Sequence, residues 1–192
     1  FNEVNVNFLT DEELSSIREK EFSGKGLELV RDMFVFSCYT GLAYIDIFNL
    51  TKDQLSKGID GNLWIITNRQ KTGSTSNIPL LPVAEEIIKK YENHPVSSNS
   101  GKLLPVYTNQ KVNEYLKTIA ENCGINKKLT FHCARHTFAT TVTLGNNVSM
   151  ESVSKMLGHK SIKTTQHYAK ILDSKVSQDM GSLKLVLEKK NE

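Results

Sequence analysis

The sequence predicts an α+β domain, mostly helical, with a small antiparallel β-sheet of two to three strands. Three observations carry this. Apolar residues recur at helical spacing over most of the chain, helix start and stop residues bracket those stretches, and the period switches to strand-like only between Gln54 and Leu80.

Leu9-Thr10-Asp11-Glu12-Glu13-Leu14 is a helix start: Thr10 caps, Glu13 closes a capping box, and Leu9 can staple onto Leu14. A second helix is predicted from Gly26 to Tyr39, with Leu27, Val30, Phe34 and Ser37–Cys38 inward and Thr40-Gly41 ending it; Tyr44 to Asn49 makes a short helix beneath. Asp60-Gly61 is a tight turn, followed by the strand formers Leu63-Trp64-Ile65-Ile66-Thr67. Thr72-Gly73-Ser74-Thr75 breaks that run and Asn77-Ile78-Pro79-Leu80 resumes it, Pro79 confining the last strand to an edge or its end. Helix returns at Val83–Tyr91, Asn93–Pro105 reads as a mobile polar loop, and Gln110–Asn122 is an amphipathic helix with Val112, Tyr115, Leu116 and Ile119 inward. A last helix-like segment lies in 173–192, around Leu183, Leu185, Val186 and Leu187.

The stretch Thr130 to Lys170 concentrates the chemistry, with four of the chain's five histidines and one of its four arginines. His132 and Arg135, three apart, share a helix face. Leu157-Gly158-His159 reads as a helix end with Gly158 at the left-handed C′ position, and Ser161 can cap a following helix on which Thr164 and Tyr168 share a face. A donor cluster of His132, Arg135 and His159 therefore stands near the phenol of Tyr168. His136 reads as a structural hydrogen-bonding group, and the role of His167 stays open.

At 192 residues, 39% hydrophobic and 23% charged, the chain can fill one sizeable core, which excludes a disordered polypeptide. A net charge of +3 permits nucleic-acid binding without demanding it, although lysines 127, 128, 155, 160, 163 and 170 flank the motif stretch. Three widely spaced cysteines make neither a disulfide framework nor a zinc pair, and with no signal peptide or bilayer-spanning run the expectation is a cytoplasmic protein without membrane association. His132, Cys133 and His136 are the one close set of metal-type ligands, and Cys133 points off their shared face, so no metal is expected.

A phenol is a poor nucleophile near neutral pH, but it can attack phosphorus where cationic donors hold the phosphate and stabilise its developing charge. Arg135 can engage two phosphate oxygens at once, and His132 and His159 can donate hydrogen bonds or shuttle a proton. A phosphotyrosyl link would conserve the bond energy, so no cofactor is required.

The HxxR of His132–Arg135, the LGH of Leu157–His159 and the later Tyr168 resemble the tyrosine recombinases, also called the phage integrase family, over about Leu9 to Lys170. Thr40-Gly41-Leu42-Ala43-Tyr44-Ile45-Asp46 is most like integrases of Bacteroidetes mobile elements. The resemblance implies a catalytic domain over residues 1–172 and a tail over 173–192, without the DNA-gripping domain that family members carry upstream. It implies that Tyr168 forms a 3′-phosphotyrosyl intermediate, that Lys71 on the β-hairpin protonates the leaving 5′-hydroxyl, and that Lys128, Lys160 and Lys163 meet DNA phosphates. Double-stranded attachment sites, a homotetramer on DNA (a monomer in isolation) and accessory DNA-bending proteins are the expected partners. The tail either covers its own core or docks on a neighbouring protomer, the second being favoured.

One departure stands out. The family's first arginine follows Thr-Gly-Leu, where this chain has Ala43, while Asp46 matches the acidic residue that steadies that arginine. Losing such a donor ordinarily costs about 2.7–4 kcal/mol of transition-state stabilisation. Arg69, two residues before Lys71 and so on the same face of a regular strand, is the candidate substitute; the alternative is a surface arginine on the DNA backbone. Arg31 is less well placed. Rival functions are a catalytically weakened DNA-binding homologue and type IB topoisomerase-like strand passage.

Overall fold

The computed structural model describes residues 7–169 and five isolated positions beyond them, 177, 180, 181, 184 and 188. The expectations for the 173–192 tail lie outside the described residues.

Helix α2 (Lys25–Thr40) is the centre of the fold, buried on nearly every side in its second half, from Met33 to Cys38. Around it pack α1 (Asp11–Glu19), α4 (Pro82–Tyr91), α6 (Asn109–Asn122) and α7 (Phe131–Thr137). The capping box forms at α1: Thr10 Oγ1 accepts from Glu13 N at 3.3 Å and Glu13 Oε2 accepts from Thr10 N at 2.9 Å. A satisfied pair of end donors fixes where the helix begins, and that seats Leu9, Leu14 and Ile17 in the core.

After α3 (Tyr44–Asn49), the strands β1 (Leu55–Lys57), β2 (Leu63–Asn68) and β3 (Thr75–Pro79) form an antiparallel sheet in that order. Ile65 pairs with Ile78 on the buried face, and Pro79 ends the edge strand. The expected loop at Asn93–Pro105 is instead partly folded: α5 (Pro95–Ser100) forms, Lys102 bridges to Thr51, and Leu103 and Leu104 are buried. Pro95 at the first helical position and Gly101 past the last are the start and stop signals; the serine cluster between them masked the helix, because serine favours helix interiors weakly.

Helix α7 passes into a π-helical turn at Phe138–Thr143. Thr137, Thr140 and Thr143 donate to the carbonyls of Cys133, His136 and Ala139, back-bonding of the kind that loosens and bends a helix. Then come α8 (Met150–Met156), packed on β3, and α9 (Ile162–Ala169), packed on α8. A second, smaller apolar cluster of Phe138, Ala139, Leu144, Val153, Leu157 and Tyr168 joins these elements. The residues singled out by sequence gather along this cluster.

Candidate active site

Arg135 is 6% exposed on α7, and its position is set by two helix ends. Its Nη1 donates to Gly41 O at 2.6 Å and its Nη2 to Leu157 O at 2.7 Å. Both carbonyls lie at helix C-termini, where unpaired acceptors and the negative end of the helix dipole favour a cation. Gly41, just past α2, has φ +71°, and a Cβ there would lie 2.5 Å from the Phe138 ring. Only glycine permits the backbone conformation and the close approach that turn this carbonyl onto Arg135.

The Leu157-Gly158-His159 turn closes α8 as the sequence implied. Gly158 adopts φ +61°, its N–H bonds Lys155 O at 3.1 Å, and His159 N bonds Ser154 O at 3.0 Å. These are the two bonds of a Schellman end. They leave Leu157 O free to face the site and put His159 on the way out. Gly158 also presses on the hairpin, since a Cβ there would stand 2.8 Å from Arg69 Cγ.

Arg69 is not a surface arginine. It is 8% exposed, with Nε 2.8 Å from Asp46 Oδ2 and Nη1 donating to Leu157 O at 3.3 Å. Nε makes an ion pair without a well-directed hydrogen bond. Two guanidinium groups thus converge on one carbonyl. Asp46, 4% exposed, is the counter-charge; its Oδ1 accepts from Gln70 N at 3.0 Å and its Oδ2 from Ala43 N at 3.4 Å. The same carboxylate ties the Ala43 box to the hairpin that carries Arg69.

The regular-strand argument for Arg69 and Lys71 fails in detail. β2 ends at Asn68, and Arg69 to Ser74 form a turn in which Arg69 points inward while Lys71 is exposed. Lys71 is nonetheless near, because its charge with that of Arg69 acts on His132. Arg31 lies elsewhere, bound to Asp32 and to the carbonyls of Arg18 and Lys20.

Tyr168, on α9, is 7% exposed, and Ser161 Oγ accepts from Lys163 N at 3.3 Å as the cap of that helix. Its ring stacks on His159, centroids 6.5 Å apart and planes at 6°. Its hydroxyl lies 3.0 Å from Nδ1 of His136, so the hydrogen-bonding partner of His136 is Tyr168 itself. His132 meets His136 edge-on, centroids 4.3 Å apart. The sequence held the signal, since residues four apart share a helix face. Thr165, fully buried, was also missed; its Oγ1 is 2.8 Å from Nδ1 of His159. It stands three before Tyr168, on the same face, whereas Thr164 is exposed. His167 is exposed too.

The electrostatics follow from burial beside fixed positive charge. His132 keeps an exposed edge, yet burial of the rest, then Lys71 and Arg69, push its pKa down. Burial, then the neighbouring His132, push His136 down to about 4. Burial, then Arg69, lower His159. Burial raises the Tyr168 phenol, and Arg69 works against it. At neutral pH the site therefore holds neutral imidazoles around a protonated phenol, with the positive charge on Arg69, Arg135 and Lys71. That set can grip a phosphodiester oxygen with two guanidinium groups while an oxygen nucleophile waits beside a proton acceptor.

Lys128, Lys160 and Lys163 are exposed, the last two on and just before the first turn of α9. Among the described residues no group of His, Cys, Asp and Glu is arranged to hold a metal ion, and no described helix is long and apolar enough to cross a membrane.

The family model described as "Phage integrase family" matches residues 7–175. A tyrosine recombinase XerC of Rickettsia canadensis is 28% identical over 180 residues, covering 88% of this chain and 54% of the relative. A tyrosine recombinase XerD of Lacticaseibacillus casei is 30% identical over 172 residues, covering 83% and 57%. The chain spans about half the length of these relatives. Among solved structures, XerA recombinase matches with TM-score 0.72 at 21% identity over 91% of this chain and 64% of its own. XerH recombinase bound to palindromic difH substrate, a post-cleavage complex, matches with TM-score 0.68 at 20% identity over 91% and 52%. The fold is that of the tyrosine-recombinase catalytic domain.

Proposed function

This chain belongs to the phage integrase family, and we propose that it is the strand-transferring part of a site-specific DNA recombinase. The observation that carries the reading is the convergence of two buried guanidinium groups, Arg69 and Arg135, on Leu157 O beside the stacked rings of His159 and Tyr168.

Tyr168 attacks a DNA phosphorus, giving a 3′-phosphotyrosyl link and a free 5′-hydroxyl, and the hydroxyl of a partner strand reverses the step. Arg135 and Arg69 hold the non-bridging oxygens, with Arg69 supplying the charge missing at Ala43 and Asp46 holding it in place. His132 and His159 add hydrogen bonds. Lys71, exposed at the hairpin tip, protonates the leaving oxygen. Lys128, Lys160 and Lys163 neutralise DNA phosphates, so binding weakens steeply with salt. Relatives solved on DNA, XerH on difH and a lambda integrase dimer on a core site, support duplex DNA as the substrate. A tetramer on DNA, and a mobile element as the source of the attachment sites, complete the proposal. The wording of the Thr40–Asp46 box favours the mobile element.

The test is incubation with nicked duplexes spanning the junctions of the element that encodes the chain. A covalent adduct from the unaltered protein and none from Tyr168→Phe is expected; equal adduct from both would refute the assignment. Paired-site exchange, rather than relaxation of a single supercoiled circle, separates a recombinase from a topoisomerase.

A further inference from the structure

We propose that His136 is the proton acceptor for Tyr168, taking the phenol's proton as the oxygen attacks phosphorus. The inference rests on the recombinase reading above and assigns a step that reading leaves open.

The geometry singles out this imidazole. Nδ1 of His136 is 3.0 Å from the Tyr168 hydroxyl, within reach for direct transfer. The other imidazoles are differently engaged: His159 presents its ring face to Tyr168 and commits Nδ1 to Thr165, and His132 meets the edge of His136. The backbone of His136 is held on α7 beside Arg135, two residues before the π-helical segment, with the hydroxyl of Thr140 bonded to its carbonyl. The groups facing the pair are His159 from the α8 exit, His132 from the same helix and Arg69 from the hairpin. None of these is an anion, so the ring stays neutral at neutral pH, and in its Nε2–H tautomer Nδ1 accepts from the phenol.

The step balances. The Tyr168 Oη–P bond forms as the P–O5′ bond breaks; the phenol proton moves to His136 Nδ1, and the departing 5′ oxygen takes a proton from Lys71. On religation both protons return. The incoming phosphodiester brings negative charge into a site of positive charge, which strengthens His136 as a base when it is needed.

The probe is methyl 4-nitrophenyl phosphate, a diester whose leaving group needs no proton, so the rate reads the nucleophile's side alone. The unaltered protein should release 4-nitrophenolate in a burst and gain one methyl phosphoryl group on Tyr168, with a normal solvent deuterium isotope effect. His136→Ala and His136→Asn should both slow the burst by about 10²–10⁴-fold, the usual worth of general-base catalysis. The asparagine oxygen can still accept the hydrogen bond but cannot take a proton. A His136→Asn protein that reacts as fast as the unaltered one would reduce His136 to positioning and overturn the proposal. A slowed variant that kept its isotope effect would also overturn it. As a measurement that needs no altered histidine, Tyr168→Phe should raise the midpoint of His136 titration followed by NMR, because the donor that favours the neutral ring is gone; an unmoved midpoint would deny the hydrogen bond. Absence of any adduct with the unaltered protein would sink the recombinase reading, and this proposal with it.

Discussion

Replacing Arg69 by alanine probes the place where this site departs furthest from the family pattern. The substitution removes a guanidinium that is 8% exposed and paired with a still more deeply buried carboxylate. Asp46 would keep only the backbone donors of Gln70 and Ala43, at 3.0 and 3.4 Å. Breaking one side of a buried ion pair costs about 3–5 kcal/mol, because the surviving charge is stranded in a poor solvent. The catalytic loss is separate: one preorganised donor to a developing oxyanion is worth about 2.7–4 kcal/mol, or roughly 10²–10³-fold in rate. A second substitution separates the two. In Asp46→Asn/Arg69→Ala the stranded charge is gone, so the urea midpoint should recover most of the way while adduct formation on nicked DNA stays slow. Ala43→Arg in the Arg69→Ala background should regain part of the rate, since it restores a guanidinium three residues before Asp46. An Arg69→Ala protein that cleaves as fast as the unaltered one would refute the substitution of Arg69 for the missing arginine.

Three further expectations can be checked without DNA. Gly158→Ala forces a residue with a Cβ to φ +61° and against Arg69 and Ser76; a loss of about 1–3 kcal/mol is expected in urea unfolding, and a midpoint unchanged from the parent would contradict the tight α8 exit. Thr165→Val keeps the shape but removes the hydroxyl on His159; stability should fall by about 1 kcal/mol, and NMR should show a changed tautomer balance at His159, whereas an unaltered spectrum would deny the contact. Stability should also depend on pH through the histidines. His132, His136 and His159 all have folded-state pKa values below the unfolded one, so the unfolded chain binds protons first. Their contribution is fully present above about pH 6.5 and is lost as pH falls towards His136's value of about 4. His136→Asn should flatten that slope; an equally steep slope would place the linkage elsewhere.

How much of this was legible beforehand depends on the range of the interaction involved. The Thr10–Glu13 box, the Gly158 exit and the Ser161 cap were readable because each depends on residues within a few positions of one another, where backbone geometry leaves few choices. The same locality read HxxR as one face of a helix. What went unread was of two kinds. The short helix α5 carried its start and stop signals, but weak helix formers between them hid it. The partners of His136 and Thr165, namely Tyr168 and His159, went unread because they are settled by how α7, α8 and α9 pack rather than by spacing.

Periodicity, turn chemistry and motif order were enough to give a mostly helical domain with a small sheet of two to three strands, to place the chain in its family, and to single out candidate side chains for the site. Only the tertiary structure decided that Arg69 turns inward at the end of β2 to meet Asp46, that it shares Leu157 O with Arg135, and that the Tyr168 hydroxyl rests on His136. The reason is physical. Each of those contacts joins groups from separate elements whose approach is fixed by the burial of α2 and the small cluster around Phe138, and no local rule of spacing encodes where two packed surfaces will meet.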